Sequence, residues 1–469
     1  MDDETNTLAA NVSQQKWVLP VSILGSSLGF IDSSVVNIAL PAIQSDLHIG
    51  LSAVQWISNG YLLTLASFIL LGGALGDRFG TLRAFCVGLS LFVLASMACG
   101  LATSPTVLII SRFIQGAGAA ALVPTSLALI SQAYTGEARG KAIGTWAGAG
   151  GVLMALGPPL GGWMVDHVGW RSIFYINVPI GALALLLARN VRESRKADGS
   201  RQLDIPGSIF AVVALGLFTY GLIAVGEGDI STGPAMLACS VAAGGLFLFV
   251  EQRSPYPILP LRLFRSRNFT GSNILTIILY GGLGGALFML PFHLIKVHSF
   301  STTMAGAAFL PFSVILGLGS RPAGGISSRV GPRLPMILGP LITASGFVLL
   351  ALSGGQSAYL SGYFPGLVLI GLGMTITIPA LTTVVFDSAP PDDSGAASGI
   401  NNAAARSGSL FAVAALGIAF GSSDIGSLAP SDISQAYSAV MAVSAASALL
   451  SALLVWILIG PAEPDKPGL

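Results

Sequence analysis

Fourteen long apolar runs constrain the fold of this chain more than any other feature. Each run holds about 20 mostly apolar residues, the length that a helix needs to cross the hydrocarbon core of a bilayer. Charged residues make up only 9% of the chain, too few to cover the surface of a soluble protein of this size. No run shows the alternating pattern of a membrane β-strand, so the sequence predicts an all-α integral membrane protein. The runs are centred near Gly29, Leu63, Phe92, Gln115, Gly151, Ile180, Leu215, Ala243, Tyr280, Ile315, Ser345, Ile370, Leu410 and Ala446.

The positive charges orient these predicted spans. With the N-terminus in the cytoplasm, eighteen of the 22 Lys and Arg residues fall at or near the inner face. Arg171 and Lys296 fall outside, while Arg112 and Arg406 lie within spans. Cytoplasmic loops carry such an excess of Lys and Arg. The polar N-terminal tail lacks the basic start and cleavage site of a signal peptide. We therefore expect a multi-pass protein of the inner (cytoplasmic) cell membrane, with both termini in the cytoplasm.

Two charged connections, at 189–204 and 251–267, divide the predicted spans into groups of six, two and six. This grouping predicts two six-helix bundles with a helix pair inserted between them. The predicted parts are a cytoplasmic tail at 1–16, an N-terminal bundle at 17–200, the inserted pair with its flanking loops at 201–268, a C-terminal bundle at 269–460 and a second cytoplasmic tail at 461–469.

A short internal sequence repeat relates the two predicted bundles. Arg78 and Gly80, after the second span, correspond to Arg329 and Gly331, after the tenth. Each of these loops joins the second and third spans of its half. Repeated halves are typical of transporters that alternate access around a central site.

Several function classes are excluded by what the sequence lacks. The balance of 22 basic and 21 acidic residues argues against a nucleic-acid partner. The three cysteines lie in apolar stretches without metal-ligand spacing, so we expect no metal and no cofactor. Gly140-Lys141 is followed by Ala142, and no phosphate-binding loop for ATP is present. The sequence therefore predicts a transporter driven by an ion gradient, not an enzyme.

Five segments carry the most specific patterns in the chain. They read DSSVVNIALP at 32–41, GALGDRFGTLR at 73–83, RFIQGAG at 112–118, GPPLGG at 157–162 and GAASGINN at 395–402. In this order they resemble the major facilitator superfamily, and within it the fourteen-span drug:proton antiporter branch of the multidrug efflux type. The resemblance covers nearly the whole chain from Trp17 to about Gly421.

The resemblance implies a fold and roles for individual residues. The fold is the major facilitator fold, with two six-helix bundles plus two inserted helices, fourteen transmembrane helices in all. Asp32 is implied to couple transport to protons, assisted by Arg112. The implied gating loop comprises Gly73, Asp77, Arg78, Gly80 and Arg83. The implied antiporter motif comprises Gly157, Pro158, Gly161 and Gly162.

Asp32 also stands out on physical grounds, because it is the only carboxylate placed well inside a predicted span. A charge at the centre of a bilayer costs roughly 3 kcal/mol, so it normally faces a wet cavity or a partner. At 1.5 Å per residue, Asp32 and Arg112 both lie about 10 Å from the outer face, a depth that allows an ion pair. Competition between a proton and a cationic substrate for this carboxylate suffices for coupling. A purely structural pair remains the alternative.

Two motifs have a structural interpretation as well as a functional one. The Asp77-Arg78 loop predicts a conformational latch, although arginines at the inner face also serve to orient the protein. Glycines in the fifth span allow close helix packing, and Pro158-Pro159 removes two backbone donors and bends the helix. Antiport as the direction of coupling is therefore implied by the resemblance alone.

Polar and aromatic residues in or near other spans are candidates for the substrate cavity. Aromatic faces favour flat or cationic ligands, but Trp56 is equally compatible with an anchor at the membrane interface. His293 can titrate or serve structurally. The candidates are Asn37, Gln55, Trp56, Asn59, Tyr61 and Gln115 in the first half, and His293, Asn401, Asn402 and Arg406 in the second.

The sequence thus predicts a proton-coupled secondary active exporter of amphipathic small molecules, including cations. Its expected partners are the lipid bilayer, a small-molecule substrate and protons, and it is expected to be a monomer. Two alternatives stay open. One is a dedicated exporter of a single physiological compound such as a lipid, siderophore or metabolite, and the other is a non-transporting membrane sensor on the same fold.

Overall fold

The fold is known from a computed structural model, which describes residues 2–192, 203–353, 358–390, 393–420 and 429–460. Side chains are described within these ranges except at residues 2–15, 137 and 328. The predicted tail at 461–469 and the loop residues Arg195, Lys196 and Arg201 lie outside the described residues.

The described part of the chain is built from α-helices and contains no β-strand. A single 3-10 helix, Leu261–Arg265, precedes α10. The helices up to the inserted pair are α1 (Asp2–Leu47), α2 (Leu51–Phe79), α3 (Thr81–Gly100), α4 (Pro105–Ala133), α5 (Gly136–His167), α6 (Ser172–Tyr175), α7 (Asn177–Ala188), α8 (Ile205–Gly226) and α9 (Thr232–Arg253). The remaining helices are α10 (Arg267–Lys296), α11 (Thr302–Ala307), α12 (Leu310–Val330), α13 (Arg333–Leu352), α14 (Tyr359–Gly362), α15 (Phe364–Asp387), α16 (Ser394–Phe420) and α17 (Pro430–Leu458).

Twelve helices in the described ranges are long and apolar enough to cross a membrane. Helices are the expected form, because a spanning segment must satisfy all its backbone hydrogen bonds internally. Two predicted spans fall outside this set of twelve. The span centred near Gly151 is α5, which is 32 residues long but rich in glycine and polar residues. The span centred near Ile180 is the shorter apolar stretch Ser172–Ala188.

The chain forms two compact units. The first comprises residues 1–217, 238–258 and 301–306, and the second comprises residues 218–237, 259–300 and 307–469. In the first unit, α1 packs on α5 and α7, α4 packs on α2 and α3, and α3 packs on α7. In the second unit, α10 packs on α16 and α17, α15 packs on α12 and α13, and α13 packs on α17. When the spans of each predicted half are numbered from one to six, the two units contain the same five helix pairs. The internal repeat in the sequence therefore has a counterpart in the packing.

The two glycines of the internal repeat, Gly80 and Gly331, occupy equivalent junctions between helices. Gly80 is the one residue between α2 and α3, and its φ of 102° lies where side chains are rarely tolerated. Gly331 follows α12 directly and has a φ of 79°. A residue without a Cβ at each junction lets the next helix start at once, so both loops are minimal turns.

Candidate functional site

The central feature of the first unit is a buried polar cluster formed by Asp32, Arg112 and Gln115, here called the Asp32 cluster. Arg112 Nη1 lies 2.6 Å from Asp32 Oδ2, and Gln115 Nε2 donates to Asp32 Oδ1 over 2.8 Å. The same Arg112 nitrogen donates to Gln115 Oε1 over 2.7 Å. Asp32 is 1% exposed, Arg112 is 2% exposed and Gln115 is fully buried. The predicted Asp32–Arg112 ion pair is therefore present, and Gln115 bridges it.

Arg112 has further partners that compensate its burial. Its Nε donates to the carbonyl oxygen of Ile57 over 3.1 Å. Its guanidinium carbon lies 4.3 Å from the ring centroid of Tyr61 and 5.9 Å from that of Phe174. A buried guanidinium is stable only when it is paired, hydrogen-bonded or stacked. Arg112 is therefore ion-paired, hydrogen-bonded and stacked on aromatic rings as long as Asp32 is charged.

Close packing between α2 and α4 places Arg112 beside α2. A Cβ on Gly116 would collide with Thr64 Oγ1 and the Tyr61 carbonyl oxygen, so only glycine allows this approach. Thr64 Oγ1 also donates to the carbonyl oxygen of Phe113 over 2.8 Å. Because residues three apart share one face of a helix, Arg112 and Gln115 point to the same side of α4.

Asp32 carries the only acidic group of the cluster, which determines its chemistry. A proton on Asp32 would remove the countercharge of Arg112 and leave the guanidinium buried without a carboxylate. Such a state is costly unless Arg112 finds water or another anion, or moves. The cluster as it stands therefore requires a charged Asp32, and a proton on this carboxylate would demand a new partner for Arg112.

The predicted antiporter motif packs directly beside the Asp32 cluster. A Cβ on Gly157 would collide with Ser34 Oγ, and a Cβ on Gly161 would lie 2.6 Å from Val35 Cγ1. The glycines of α5 therefore contact α1 within one turn of Asp32. Pro158 lies inside α5 between them. The motif holds α5 against the part of α1 that carries Asp32.

The far end of α5 holds the start of α11. Asp166 Oδ2 accepts hydrogen bonds from the Thr303 backbone N–H over 2.7 Å and from the Thr303 hydroxyl over 2.6 Å. Asp166 Oδ1 accepts from the Thr302 N–H over 3.1 Å. A Cβ on Gly162 would collide with the Thr302 carbonyl oxygen. Gly162, the last predicted motif residue, thus serves this second contact.

The predicted gating loop lies at the junction of α2 and α3. Asp77 and Arg78 occupy the last turn of α2 and are partly buried, while Arg83 is exposed in the first turn of α3. The Arg78 guanidinium lies 5.2 Å from the ring centroid of Phe79. Gly73 makes only ordinary contact with Pro124. The tight turn itself depends on Gly80.

The other cavity candidates of the first unit differ in burial. Gln55 is buried, and Asn37 is partly buried. Trp56 is partly buried, with its ring centroid 5.9 Å from that of Phe113. Tyr61 is buried, and it joins the Asp32 cluster through its ring face and donates to the Gly29 carbonyl oxygen over 3.5 Å. Tyr61 is therefore in direct contact with the cluster.

His293, the histidine candidate of the second unit, is fully buried. Its ring stacks on Tyr437 with centroids 3.9 Å apart, and His298 meets it edge-on at 4.9 Å. Tyr363 Oη lies 3.2 Å from its Nδ1. In sequence His293 is a lone histidine, but in the structure it is the centre of an aromatic cluster.

The remaining candidates of the second unit lie on α16. Asn401 donates to Thr276 Oγ1 over 2.8 Å and to Asn273 Oδ1 over 3.3 Å, so it ties α16 to α10. Asn402 is exposed and donates to the Ser398 carbonyl oxygen over 3.0 Å. Arg406 is partly buried one turn further along the helix. These three side chains do not form one cluster with His293.

The structure adds one residue, Cys99, that the sequence did not indicate, and it singles out one of the cavity candidates, Asn59. Cys99 Sγ lies 3.6 Å from Gln115 Oε1 and so joins the Asp32 cluster from α3. The side-chain amide of Asn59 is fully buried and has no hydrogen-bond partner among the described residues. Buried amides without partners are costly, which makes Asn59 a candidate contact for water or cargo. The spacing of residues in α3 carries no signal for the role of Cys99, whereas Asn59 is one of the candidates that the sequence indicates.

The family is decided by comparison with known proteins. The sequence pattern of the Major Facilitator Superfamily matches residues 22–413. The chain belongs to the major facilitator superfamily. The fold is also similar to that of solved transporter structures. A peptide transporter POT in complex with sulfate has a TM-score of 0.69 at 16% identity, covering 94% of both chains. A D-xylose-proton symporter has a TM-score of 0.68 at 16% identity, covering 96% of this chain and 98% of that one.

Relatives of higher identity within the superfamily are named as resistance and export proteins. A methylenomycin A resistance protein of Bacillus subtilis is 35% identical, covering 96% of both chains. A tetracenomycin C resistance and export protein of Streptomyces glaucescens is 34% identical, covering 88% of this chain and 77% of that one. A multidrug resistance protein Stp of Mycobacterium tuberculosis is 35% identical, covering 84% of this chain and 74% of that one. This major facilitator protein is therefore a membrane transporter whose relatives are antibiotic and multidrug resistance exporters.

Proposed function

We propose that the protein is a proton-coupled antiporter that exports amphipathic small molecules, including cations, by alternating access. The observation that carries the proposal is the buried Asp32 cluster, in which one carboxylate neutralises one guanidinium. The names of its relatives, which concern resistance to and export of antibiotics, support cargo of this class. A proton and a cationic substrate compete for the same carboxylate.

The proposed exchange has a defined energetic scale. One pH unit is worth about 1.4 kcal/mol per proton, which sustains a tenfold gradient of substrate. If one proton exchanges for one monovalent cation, the cycle moves no net charge, and the membrane potential contributes nothing. A neutral substrate would make the cycle electrogenic, at about 2.3 kcal/mol per charge per 100 mV.

The proposed topology has fourteen spans. The 32-residue α5 has ample length to cross a bilayer, and the stretch Ser172–Ala188 reaches the lower end of the spanning range of about 17 to 25 residues. An even number of spans keeps both termini on the cytoplasmic side and preserves the bias of Lys and Arg toward that side. We place the protein in the inner cell membrane as a monomer.

Two motifs are proposed to move the protein between its states. The loop of Asp77, Arg78 and Arg83 acts as a latch, because its charged groups flank a turn in which a single residue separates α2 from α3. The α5 glycines transmit the state of Asp32, because they contact α1 at Ser34 and Val35. A change in α1 that follows protonation must therefore displace α5.

Purified protein in proteoliposomes tests the proposal. A panel of cationic, neutral and anionic compounds is assayed under a pH gradient alone, a voltage alone and neither. Wild-type protein is expected to export amphipathic cations with the pH gradient alone. The Asp32→Asn variant is expected to lose this proton-driven export while remaining folded and membrane-inserted, because an amide cannot exchange a proton.

The matched control is Asp46→Asn, the same substitution at the end of the same helix. Asp46 pairs with Arg171 over 2.9 Å, but both side chains are more than a third exposed, so this pair contributes little. Export by Asp46→Asn should match wild type. Undiminished proton-driven export by Asp32→Asn would refute the coupling role. Transport of one physiological compound alone favours a dedicated exporter, and binding without transport favours a sensor.

A further inference from the structure

We propose that His293 is a second proton-binding site of the transport cycle, separate from Asp32, and that Tyr363, Ser434 and Tyr437 allow it to hold its proton. This proposal rests on the proposed function, because it assigns a further site to the proton that drives export. The group formed by His293, His298, Tyr363 and Tyr437 is here called the His293 cluster.

The first observation is that both ring nitrogens of His293 have hydroxyl partners. Tyr363 Oη lies 3.2 Å from Nδ1, and Ser434 Oγ lies 3.3 Å from Nε2. A hydroxyl can donate or accept. For neutral His293 one hydroxyl donates to the bare nitrogen, and for charged His293 both accept. The same arrangement of heavy atoms therefore satisfies both protonation states, whereas a carbonyl partner would favour a single N–H.

The second observation is the stacking of His293 on Tyr437. The ring centroids are 3.9 Å apart and the planes are inclined by only 6°. The face of a phenol ring attracts a cation, and the attraction grows when the cation is desolvated. His293 is fully buried, so this ring face provides compensation for a charge that water does not reach.

The ionisable groups around His293 favour a single proton. His298 meets the His293 ring edge-on at 4.9 Å, and burial holds the pKa of His298 below its ordinary value. Two imidazolium groups at this distance would repel each other, so His298 stays neutral when His293 is charged. Lys296 lies three residues further along α10, and the exposed Asp432 lies two residues before Ser434 on α17.

The tyrosines of the cluster and its neighbourhood remain uncharged at neutral pH. Tyr363 and Tyr437 contact His293 through a hydroxyl and a ring face, respectively. Tyr359, on α14, donates its hydroxyl to the Ala308 carbonyl oxygen over 2.9 Å. None of these tyrosines is a base that competes for the proton, so the imidazoles of His293 and His298 are the groups of the cluster that can take it, and the hydroxyl partners on both ring nitrogens favour His293.

The position of the cluster fits proton entry. His293 lies in the last turn of α10, Tyr363 directly precedes α15 and Tyr437 lies in the second turn of α17. On the proposed topology all three helix ends face the outside, the side from which protons enter during export. The site would therefore respond to the outer pH.

Histidine NMR tests the proposal directly, because the chain holds only four histidines. Protein labelled with ¹³C at the imidazole Cε1 is titrated in lipid nanodiscs from about pH 5 to about pH 9, and His293→Gln assigns the resonance. The His293 resonance is expected to titrate within this range. In Tyr363→Phe its midpoint should differ from that of wild type, because the ring loses a hydroxyl partner that serves both protonation states. A His293 resonance that stays constant across the range would overturn the proposal.

Transport supplies the second readout. In proteoliposomes, His293→Gln should lose one pH-dependent step from the rate profile when the outer pH is varied, and Tyr363→Phe should shift that step. His167→Gln, which changes an exposed histidine at the end of α5, is the matched control and should reproduce the wild-type profile. Profiles of His293→Gln and Tyr363→Phe that both superimpose on wild type would overturn the role in transport. The NMR titration needs no transport, so a failure of Asp32→Asn to block export is distinguishable from a failure of this site.

Discussion

Arg112 and Asp32 are eighty residues apart in the chain, yet their side chains form a 2.6 Å ion pair in the interior of the first unit. Neither residue is more than 2% exposed. A pair buried this deeply cannot be opened by simple hydration, because each charge would lose its partner in a medium of low polarity. Any step that separates them must provide a new partner for each charge or neutralise Asp32.

The first prediction concerns the stability of this pair. Asp32→Asn leaves the Arg112 charge without its carboxylate and should destabilise the protein by about 3 kcal/mol. The double variant Asp32→Asn/Arg112→Gln removes both charges and should melt at a higher temperature than Asp32→Asn alone. Thermal unfolding in detergent, followed by size-exclusion chromatography, gives the comparison. If the double variant loses as much stability as Asp32→Asn and Arg112→Gln lose together as single variants, the two charges do not interact.

The second prediction concerns the contact between α5 and α1. Gly161→Ala places a methyl group against Val35, and such overpacking typically costs about 1 to 3 kcal/mol. Because Val35 lies three residues after Asp32, proton-driven export should fall more than tenfold. The measurement is the initial export rate per folded transporter. Gly151→Ala, on the same helix with nothing within 4 Å, is the matched control, and an equal effect of both substitutions would contradict the prediction.

Much of the fold follows from the sequence, because lipid as a solvent leaves helices as the only form for long apolar segments. The stretches around Leu63, Phe92 and Ser345 illustrate this, since each lies within a helix that meets the criteria of length and hydropathy. The α5 segment is harder to recognise, because glycines that permit close packing also lower its hydropathy. The pairing of helices was not predictable, since it depends on which small residues face each other.

The candidate site was predictable only in part. The matching depths of Asp32 and Arg112 follow from the rise of a helix, and the structure contains the pair. Gln115 was predicted only as a cavity residue, because nothing in the sequence indicates that its amide reaches back to Asp32. Cys99 was not predicted at all. The partners of His293 lie 70 and 141 residues away, so only tertiary structure reveals the cluster.

The third prediction concerns the turn between α8 and α9. Asp229 Oδ1 accepts hydrogen bonds from the backbone N–H groups of Thr232 and Ser231 and from the Ser231 hydroxyl. These bonds lower the pKa of Asp229 from 3.8 to about 2. A lowered pKa means that Asp229 stabilises the fold above its ordinary pKa and that this stabilisation is lost as the pH falls through about 2.

Asp229→Asn should therefore melt below wild type at neutral pH, and the difference should shrink as the pH falls below about 4. Melting temperatures at a series of pH values give the comparison. Glu227→Gln, which changes an exposed acid two residues earlier, serves as the control and should melt like wild type throughout. A difference between Asp229→Asn and wild type that grows toward low pH would have the wrong sign for this carboxylate.

The fourth prediction concerns the junction between α2 and α3. Gly80 has φ 102° and ψ 134°, a backbone region that costs a residue with a side chain about 1 to 3 kcal/mol. Gly80→Ala should therefore distort the turn that carries Arg78 and Arg83. Because this turn lies at the opposite end of α2 from Ile57 and Tyr61, which contact Arg112, export should slow several-fold for all compounds while their order of preference stays the same. Export rates for the same compound panel measure both quantities.

The control for Gly80→Ala is Gly140→Ala, a helical glycine of α5 with nothing within 4 Å. It adds the same methyl group without requiring a strained backbone, so its export rates should equal those of wild type. The second unit offers an internal replicate, since Gly331 has a φ of 79° at the equivalent junction. If the two junctions act as matching latches, Gly331→Ala should slow export in the same way. Changed compound preference with normal rates in either junction variant would show that these turns shape cargo recognition instead.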